Sequence, residues 1–248
     1  MNVIYILWLR QLKRYFRSKS RMIGSLGQPL LLLLAFGFGF GPIFQKAGGG
    51  NYIQFLVPGI ISMGILFTAV FSGIEIIWDR QFGFLKETLV APVSRLKIMI
   101  GRTLGGGTVA IIQGFIVLAI SFLIGFRPTD LHLLLLSFVF MVLIALFFTA
   151  LGTAIASVLQ DMQGFQLIMN FLLMPLFFLS GALFPLQGLP RAFVIIASMN
   201  PLSYGVDGLR GTLVNGSNFG LVNDLFVLGF ITFIVLAIGS YLFSKMQA

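Results

Sequence analysis

Long apolar stretches alternate with short polar gaps along the whole chain. Six stretches, near residues 23–44, 56–78, 98–124, 131–159, 165–184 and 221–243, reach or approach the roughly 20 residues a helix needs to cross the hydrocarbon core. Inside a bilayer each backbone N–H and C=O needs a partner within its own segment, which helices provide. The pattern therefore predicts an all-α membrane protein with six transmembrane helices in one transmembrane domain, residues 1–248.

Residues 1–22 repeat at a different scale. Ile4, Trp8, Leu12 and Tyr15 recur every three to four positions, and Arg10, Arg14, Arg17 and Arg21 recur the same way on another face. This predicts an amphipathic interfacial helix with its arginines towards anionic headgroups, each worth about 1 kcal/mol near such a leaflet. A plain basic flank that only sets orientation is the alternative. The apolar run that follows is too long for a signal peptide, and no small-residue cleavage site ends it.

Two polar gaps stand out. The first, 79–97, holds Asp79, Arg80, Lys86, Glu87, Arg95 and Lys97 between two spans. In the second, 185–220, Pro185, Pro190 and Pro201 punctuate the chain, and the apolar piece 191–199 is too short to span, as suits a re-entrant or interfacial helix. Asn200-Pro201 reads as an N-cap followed by proline at the first helical position. A second short helix over 203–212 would bring Asp207 and Arg210 three residues apart and able to pair. An extracellular loop with a turn is the plainer reading of this gap.

Lysine and arginine set the orientation. With the N-terminus inside, twelve of the 16 basic residues fall on the cytosolic side, and only Lys46, Arg127, Arg191 and Arg210 fall outside. Both termini and the 79–97 elbow are then cytosolic. The 185–212 helices are exoplasmic, so Asn200, Pro201, Tyr204, Asp207 and Arg210 would stand at an outer gate.

Composition supports the same class. The chain is 58% hydrophobic and 9% charged, with mean hydropathy +1.03, far from the roughly 25% charged of a soluble domain. The net charge of +9 does not point to nucleic acid, because the basic residues flank apolar spans and form no soluble basic domain. Without cysteine there is no disulfide and no thiolate metal site. No Walker, HExxH or GxSxG motif occurs, and the one histidine, His132, is an isolated interfacial residue, so no catalytic or metal-binding residue is assigned. Gly105-Gly106-Gly107 lacks the Lys-Ser/Thr of a phosphate loop; it would admit a neighbouring helix or loosen the start of span three.

Glu75 lies about one turn inside span two and is a candidate intramembrane functional residue, or else one that snorkels or pairs with Arg102. The other polar residues within spans are mild, among them Gln28, Thr68, Ser72, Gln113, Thr149 and Gln166. This is a membrane path without an engine.

Three stretches carry a family resemblance: LWLRQLKRYFRSKSRMIGSLGQPLLLLLAFG, WDRQFGFLKETLVAPVSR and MNPLSYGVDGLRG. In order and spacing they resemble the permease subunits of ABC-2 type exporters, in particular the drug and antibiotic-resistance branch. The resemblance implies six helices per subunit and a homodimer or heterodimer of permeases with two separate ATPase subunits beneath. It implies export across the cytoplasmic membrane, with no cofactor in this chain, since ATP and Mg would be bound by the partner ATPase. It also makes 1–22 a connecting helix, and the 79–97 loop a coupling element that docks in the ATPase through Asp79, Arg80, Phe82, Gly83, Leu85, Glu87, Leu89, Pro92 and Arg95. The residues agree that 81–91 forms a short helix, with Asp79 as cap, Phe82, Leu85 and Leu89 on one face, and Pro92 as the stop.

The function expected is therefore the permease of an ATP-driven exporter of a hydrophobic or amphiphilic small molecule, whether drug, antibiotic or lipid. A polysaccharide or glycolipid exporter would share the architecture. An ion-coupled secondary transporter would need inverted repeats or midplane charges, and a membrane enzyme would need a convergent catalytic set; the sequence offers neither.

Overall fold

The computed structural model describes residues 3–46, 50–84 and 93–246. Within them the chain is helical, with no strand among the described residues. The N-terminal pattern forms α1 (Val3–Arg17), followed after one residue by the long α2 (Lys19–Lys46). The second span is α3 (Tyr52–Phe71) continued by α4 (Ile74–Gln81). Next come α5 (Arg95–Leu123) and α6 (Leu134–Val158), then the shorter α7 (Met162–Phe178). Two short helices, α8 (Arg191–Met199) and α9 (Pro201–Val214), precede the final α10 (Leu221–Ser244).

Five of these segments are long and apolar enough to cross a membrane: α2, α3 with α4, α5, α6 and α10. The stretch expected to span 165–184 is instead the 17-residue α7, followed by turns from Leu179 onwards. Pro175 sits inside its last turn, and the next helix does not begin until Arg191. The protein is a multi-pass membrane protein.

The second span forms the axis of the bundle. In its most apolar window 72% of residues are buried, against 17% in α2 and in α10. α3 packs against α2, α5, α6 and α9, whereas α7 packs mainly along its edge and that of α4. Exposed apolar side chains therefore concentrate on the outer helices, including Leu31 and Phe38 of α2 and Leu167 and Phe171 of α7. Such surfaces are stable only against lipid or another chain.

Small residues determine how closely the helices cross. The second span breaks at Ser72–Gly73, where it meets α6. A Cβ on Gly73 would lie 2.5 Å from the Gly152 carbonyl oxygen, and a Cβ on Gly152 would run into the Val70 carbonyl. The two backbones touch, as happens in membranes where helices associate by close packing. The glycine triplet works the same way on two sides: Gly105 faces Trp8 and Gln11 of α1, while Gly106 faces Ser72 and Thr149. With Gly101, which faces Ile4 and Leu7, Gly105 forms a four-residue-spaced seat into which α1 settles.

Gly152→Val should therefore abolish a monodisperse folded protein in detergent, since overpacking costs about 1–3 kcal/mol even where neighbours can yield and here the neighbour is backbone. Gly229→Ala, which has open space at its Cβ, should elute as wild type. Fluorescence-detected size-exclusion chromatography separates the two outcomes.

Candidate functional site

The site grows from two carboxylates one helical turn apart. Glu75 and Asp79 project from the same face of α4, and each is only 5% exposed. A buried carboxylate needs a cation and hydrogen bonds to stay charged. Arg10 of α1 reaches Asp79 with both terminal nitrogens, at 2.8 and 3.1 Å. Arg102 of α5, itself 4% exposed, donates to Asp79 Oδ2, which it shares with Arg10, at 2.5 Å. Arg21 of α2 donates to Glu75 at 2.7 Å, and Arg14 of α1 lies 3.5 Å from its second oxygen. Arg14 and Arg21 also stand over the Trp78 ring, and Arg10 stands 3.8 Å over Phe84. Four arginines from three helices thus converge on one short helix.

Several expectations are corrected here. Arg10, Arg14 and Arg21 point to carboxylates, not to lipid headgroups, because two buried acids within reach attract them more strongly than a solvated surface does. Arg17, by contrast, is exposed. Glu75 neither snorkels nor pairs with Arg102; its partners are Arg21 and Arg14. Asp79 does not cap a new helix, since it lies within α4 and its carboxylate is held by Arg10 and Arg102. Gln81 ends α4, and Gly83, at φ +79°, turns the chain in the left-handed region that glycine favours. Of the expected coupling residues, Phe82 is 80% exposed, while Leu85, Glu87, Leu89 and Pro92 lie outside the described residues.

The flanks of the elbow are tied to two further helix ends. Arg80 donates to the Ser157 and Leu159 carbonyls at the C-terminus of α6, at 2.9 and 3.0 Å. Arg95 donates to the Ser244 and Met246 carbonyls at the end of α10, at 2.6 and 2.7 Å. Both placements satisfy last-turn carbonyls and set a cation at the negative end of a helix dipole. Trp78 Nε1 meets Met162 Sδ at the start of α7.

Beside this cluster lies a cleft of about 400 Å³ bounded by α1, α2, α3, α4 and α5, with Gln166 of α7 at its edge. Its lining includes Arg21, Glu75 and Trp78 at one end and Pro29, Met63 and Phe67 along the wall. Gln28, Thr68, Ser72 and Gln166, read from the sequence as mild polar residues within spans, all face it. Gln113 stands behind the lining and accepts from Tyr15 Oη at 2.9 Å and Ser25 Oγ at 3.2 Å, which locks α1 and the start of α2 to α5.

At the opposite end of the bundle the residues of MNPLSYGVDGLRG each hold a different segment. Asn200 caps α9 by accepting from the Leu202 N–H at 3.0 Å, with Pro201 at the first helical position, and donates to the Leu176 carbonyl at 2.6 Å. Tyr204 Oη donates to the Ser198 carbonyl at 2.7 Å. Asp207 and Arg210 do not pair as expected. Asp207 accepts from Ser217 Oγ, Asn218 N, Asn218 Nδ2 and Phe219 N, so it organises the turn before α10. Arg210 donates to the Gly181 carbonyl at 2.9 Å and lies 3.9 Å over the Phe55 ring.

Residues 2–214 match the model of the family described as ABC-2 type transporter. The chain belongs to the ABC-2 type transporter family. It is 31% identical over 234 residues to a "Putative transport permease ycf38" of Cyanophora paradoxa, covering 92% of this chain and 79% of that protein. It is 27% identical over 231 residues to the "Inner membrane transport permease YadH" of Escherichia coli K12, covering 92% and 89%. It is 27% identical over 212 residues to "Nodulation protein J" of Rhizobium leguminosarum bv. viciae, covering 85% and 79%. This ABC-2 protein is thus a transport permease, a membrane subunit that is not itself catalytic.

Three features of the permease escaped the sequence reading. Arg102 as the inner partner of Asp79 was one, and its position seven residues after Arg95 gave no sign of it. The Tyr15–Gln113 bond was another. The third was which helix the glycines admit: Gly105 was expected to let a neighbouring helix approach, and that helix is α1, which settles on Gly101 as well.

Arg102 makes its one hydrogen bond among the described residues to Asp79, and its Nε and Nη1 have no partner there. Asp79→Asn should therefore lower stability by about 3–5 kcal/mol, the cost of stranding a buried charge. Adding Arg102→Met should restore most of it, whereas Arg10→Gln alone, at a half-exposed position, should cost about 1 kcal/mol or less. Thermal unfolding of the four proteins in one detergent checks this ordering.

Proposed function

We propose that this permease is the membrane subunit of an ATP-driven exporter, energised by two separate ATPase subunits and working as a homodimer or heterodimer of permeases. The observation that carries this is the arginine-bound elbow. Asp79 and Glu75 join α1, α2 and α5 to the end of the second span, Arg80 joins α6 to it, and Arg95 joins α10 to the start of α5 at the other end of the loop. A force applied to the 79–97 loop would reach five helices through short, directional bonds. ATP binding would draw the ATPase subunits together, and the loops and α1 helices would act as levers on the bundle.

The charge distribution supports an elbow and termini in the cytosol and a 185–212 segment outside, in a cytoplasmic membrane. In that orientation Asn200, Pro201, Tyr204, Asp207 and Arg210 form a braced outer rim, and the exposed faces of α2 and α7 are available to a second permease or to lipid. The cargo class is a hydrophobic or amphiphilic small molecule. The size of the cleft, about 400 Å³, supports this over a polymer, as it lies at the lower end of the roughly 300–1,000 Å³ typical of small-ligand sites.

Leu85→Asp or Glu87→Arg should uncouple hydrolysis from transport while leaving membrane insertion intact. In proteoliposomes with the partner ATPase, cargo moved per ATP hydrolysed should fall about tenfold or more, the effect of losing one or two docking contacts. Wild-type stoichiometry in both variants would place the docking elsewhere.

A further inference from the structure

We infer that the cleft beside Glu75 is a binding site for an anionic, single-chain amphiphile, whose headgroup is received by Arg21 and whose chain lies along the Pro29–Met63–Phe67 wall.

Three observations select this ligand. The first is volume. About 400 Å³ admits a small ligand and is narrow for the two chains of a bilayer lipid. The second is the division of the lining. Pro29, Met63, Phe67, Phe71 and Val109 make an apolar wall, while Arg21 and Glu75 lie at one end with neutral Gln and Ser side chains around them. The third is charge. Among the described residues Glu75 is the only acid in the lining, and it already meets two guanidinium groups, Arg21 at 2.7 Å and Arg14 at 3.5 Å. With Arg14 just behind the lining, that end of the cleft carries an excess positive charge, and a cationic headgroup would face Arg21 directly. Arg21 is 37% exposed at its side chain and engages Glu75 through Nη1 alone among the described residues, so Nη2 and Nε can take a carboxylate or phosphate oxygen. Gly24, Gln28 and Gln166 are exposed lining residues, which opens the cleft to the surface between α2 and α7.

Occupancy would have a structural consequence. The headgroup would share the Arg21 guanidinium with Glu75, so that two mutually repelling anions divide one positive charge, and Glu75 is one turn from Asp79 on α4. Binding would thereby loosen the Arg21–Glu75 bond without touching Asp79. Which leaflet supplies the ligand rests on the orientation proposed above; the binding itself does not.

The chain contains two tryptophans, and Trp78 lines the cleft, whereas Trp8 is not among its lining residues and donates to Thr108 of α5. In a Trp8→Phe background, Trp78 fluorescence in zwitterionic nanodiscs reports occupancy directly. Dibromostearate should quench it saturably, and a dibrominated alkyl trimethylammonium of equal chain length should need about ten times the concentration or more, the value of one charge-assisted hydrogen bond. Arg21→Gln should weaken the dibromostearate response by about the same factor. Gly24→Phe, which places a ring in the cleft from a position with nothing within 4 Å, should remove the saturable phase while leaving the melting temperature unchanged. Equal quenching by the two headgroups in the Trp8→Phe protein would overturn the assignment. So would quenching indifferent to Gly24→Phe, or dibrominated diacyl phosphatidylglycerol acting as well as the single-chain acid.

Discussion

Two carboxylates inside a membrane protein impose the central constraint on this structure. Glu75 and Asp79 are one turn apart on α4, and burying either charge is costly unless cations lie at hydrogen-bonding distance. The chain supplies those cations from three helices, with Arg10 and Arg14 on α1, Arg21 on α2 and Arg102 on α5. Buried ion pairs contribute little net stability against an apolar alternative, and they are costly to break one-sidedly. Their effect here is therefore geometric. In the observed placement of α1, Arg10 and Arg14 meet both acids while its small-residue seat on α5, Gly101 and Gly105, is filled.

The two ends of the bundle are built on different principles. The elbow end uses charge to join separate helices, and it adds arginines at the carbonyl ends of α6 and α10 through Arg80 and Arg95. A guanidinium at a helix C-terminus both fills open acceptors and opposes the dipole. The other end uses caps and local loops. Asn200 anchors α9 to the end of α7, Asp207 folds the turn before α10, and Arg210 holds Gly181. Each of these contacts is short in reach and fixes one segment, so that end is a braced rim, whereas the elbow end is a junction.

Hydrophobic pattern made most of the fold legible, because a long apolar run has few alternatives in a bilayer. It placed α2, the second span, α5, α6 and α10 to within a few residues, and it found the Asn200-Pro201 helix start. It overextended α7, since apolarity continues through 179–184 after the helix has ended. Pairing was less legible. The alternation of Arg10, Arg14 and Arg21 is equally suited to headgroups and to buried acids, and only the fold brings Glu75 and Asp79 beneath them. Asp207 and Arg210 illustrate the opposite failure. Their spacing permits an ion pair, but backbone N–H groups of 218–219 and the Gly181 carbonyl are better aligned partners. The cleft was half visible: Gln28, Thr68, Ser72 and Gln166 were evident as polar residues within spans, but the fact that they face one space was not.

The arrangement of the acids suggests how the junction and the cleft communicate. Asp79 is held by a bidentate Arg10 and a buried Arg102, whereas Glu75 is held by two partly exposed arginines through one nitrogen each, one of them at 3.5 Å. In the exporter proposed above, the Asp79 set would be the fulcrum and the Glu75 set the part that exchanges partners. Moving the elbow about Asp79 would displace Glu75 towards or away from Arg21, and with it the polar end of the cleft. A rigid pair at both positions would transmit force but could not register occupancy, and a loose pair at both would do the reverse. One tight and one exchangeable set on the same helical face allows the two events to bias each other, and by linkage that bias is reciprocal.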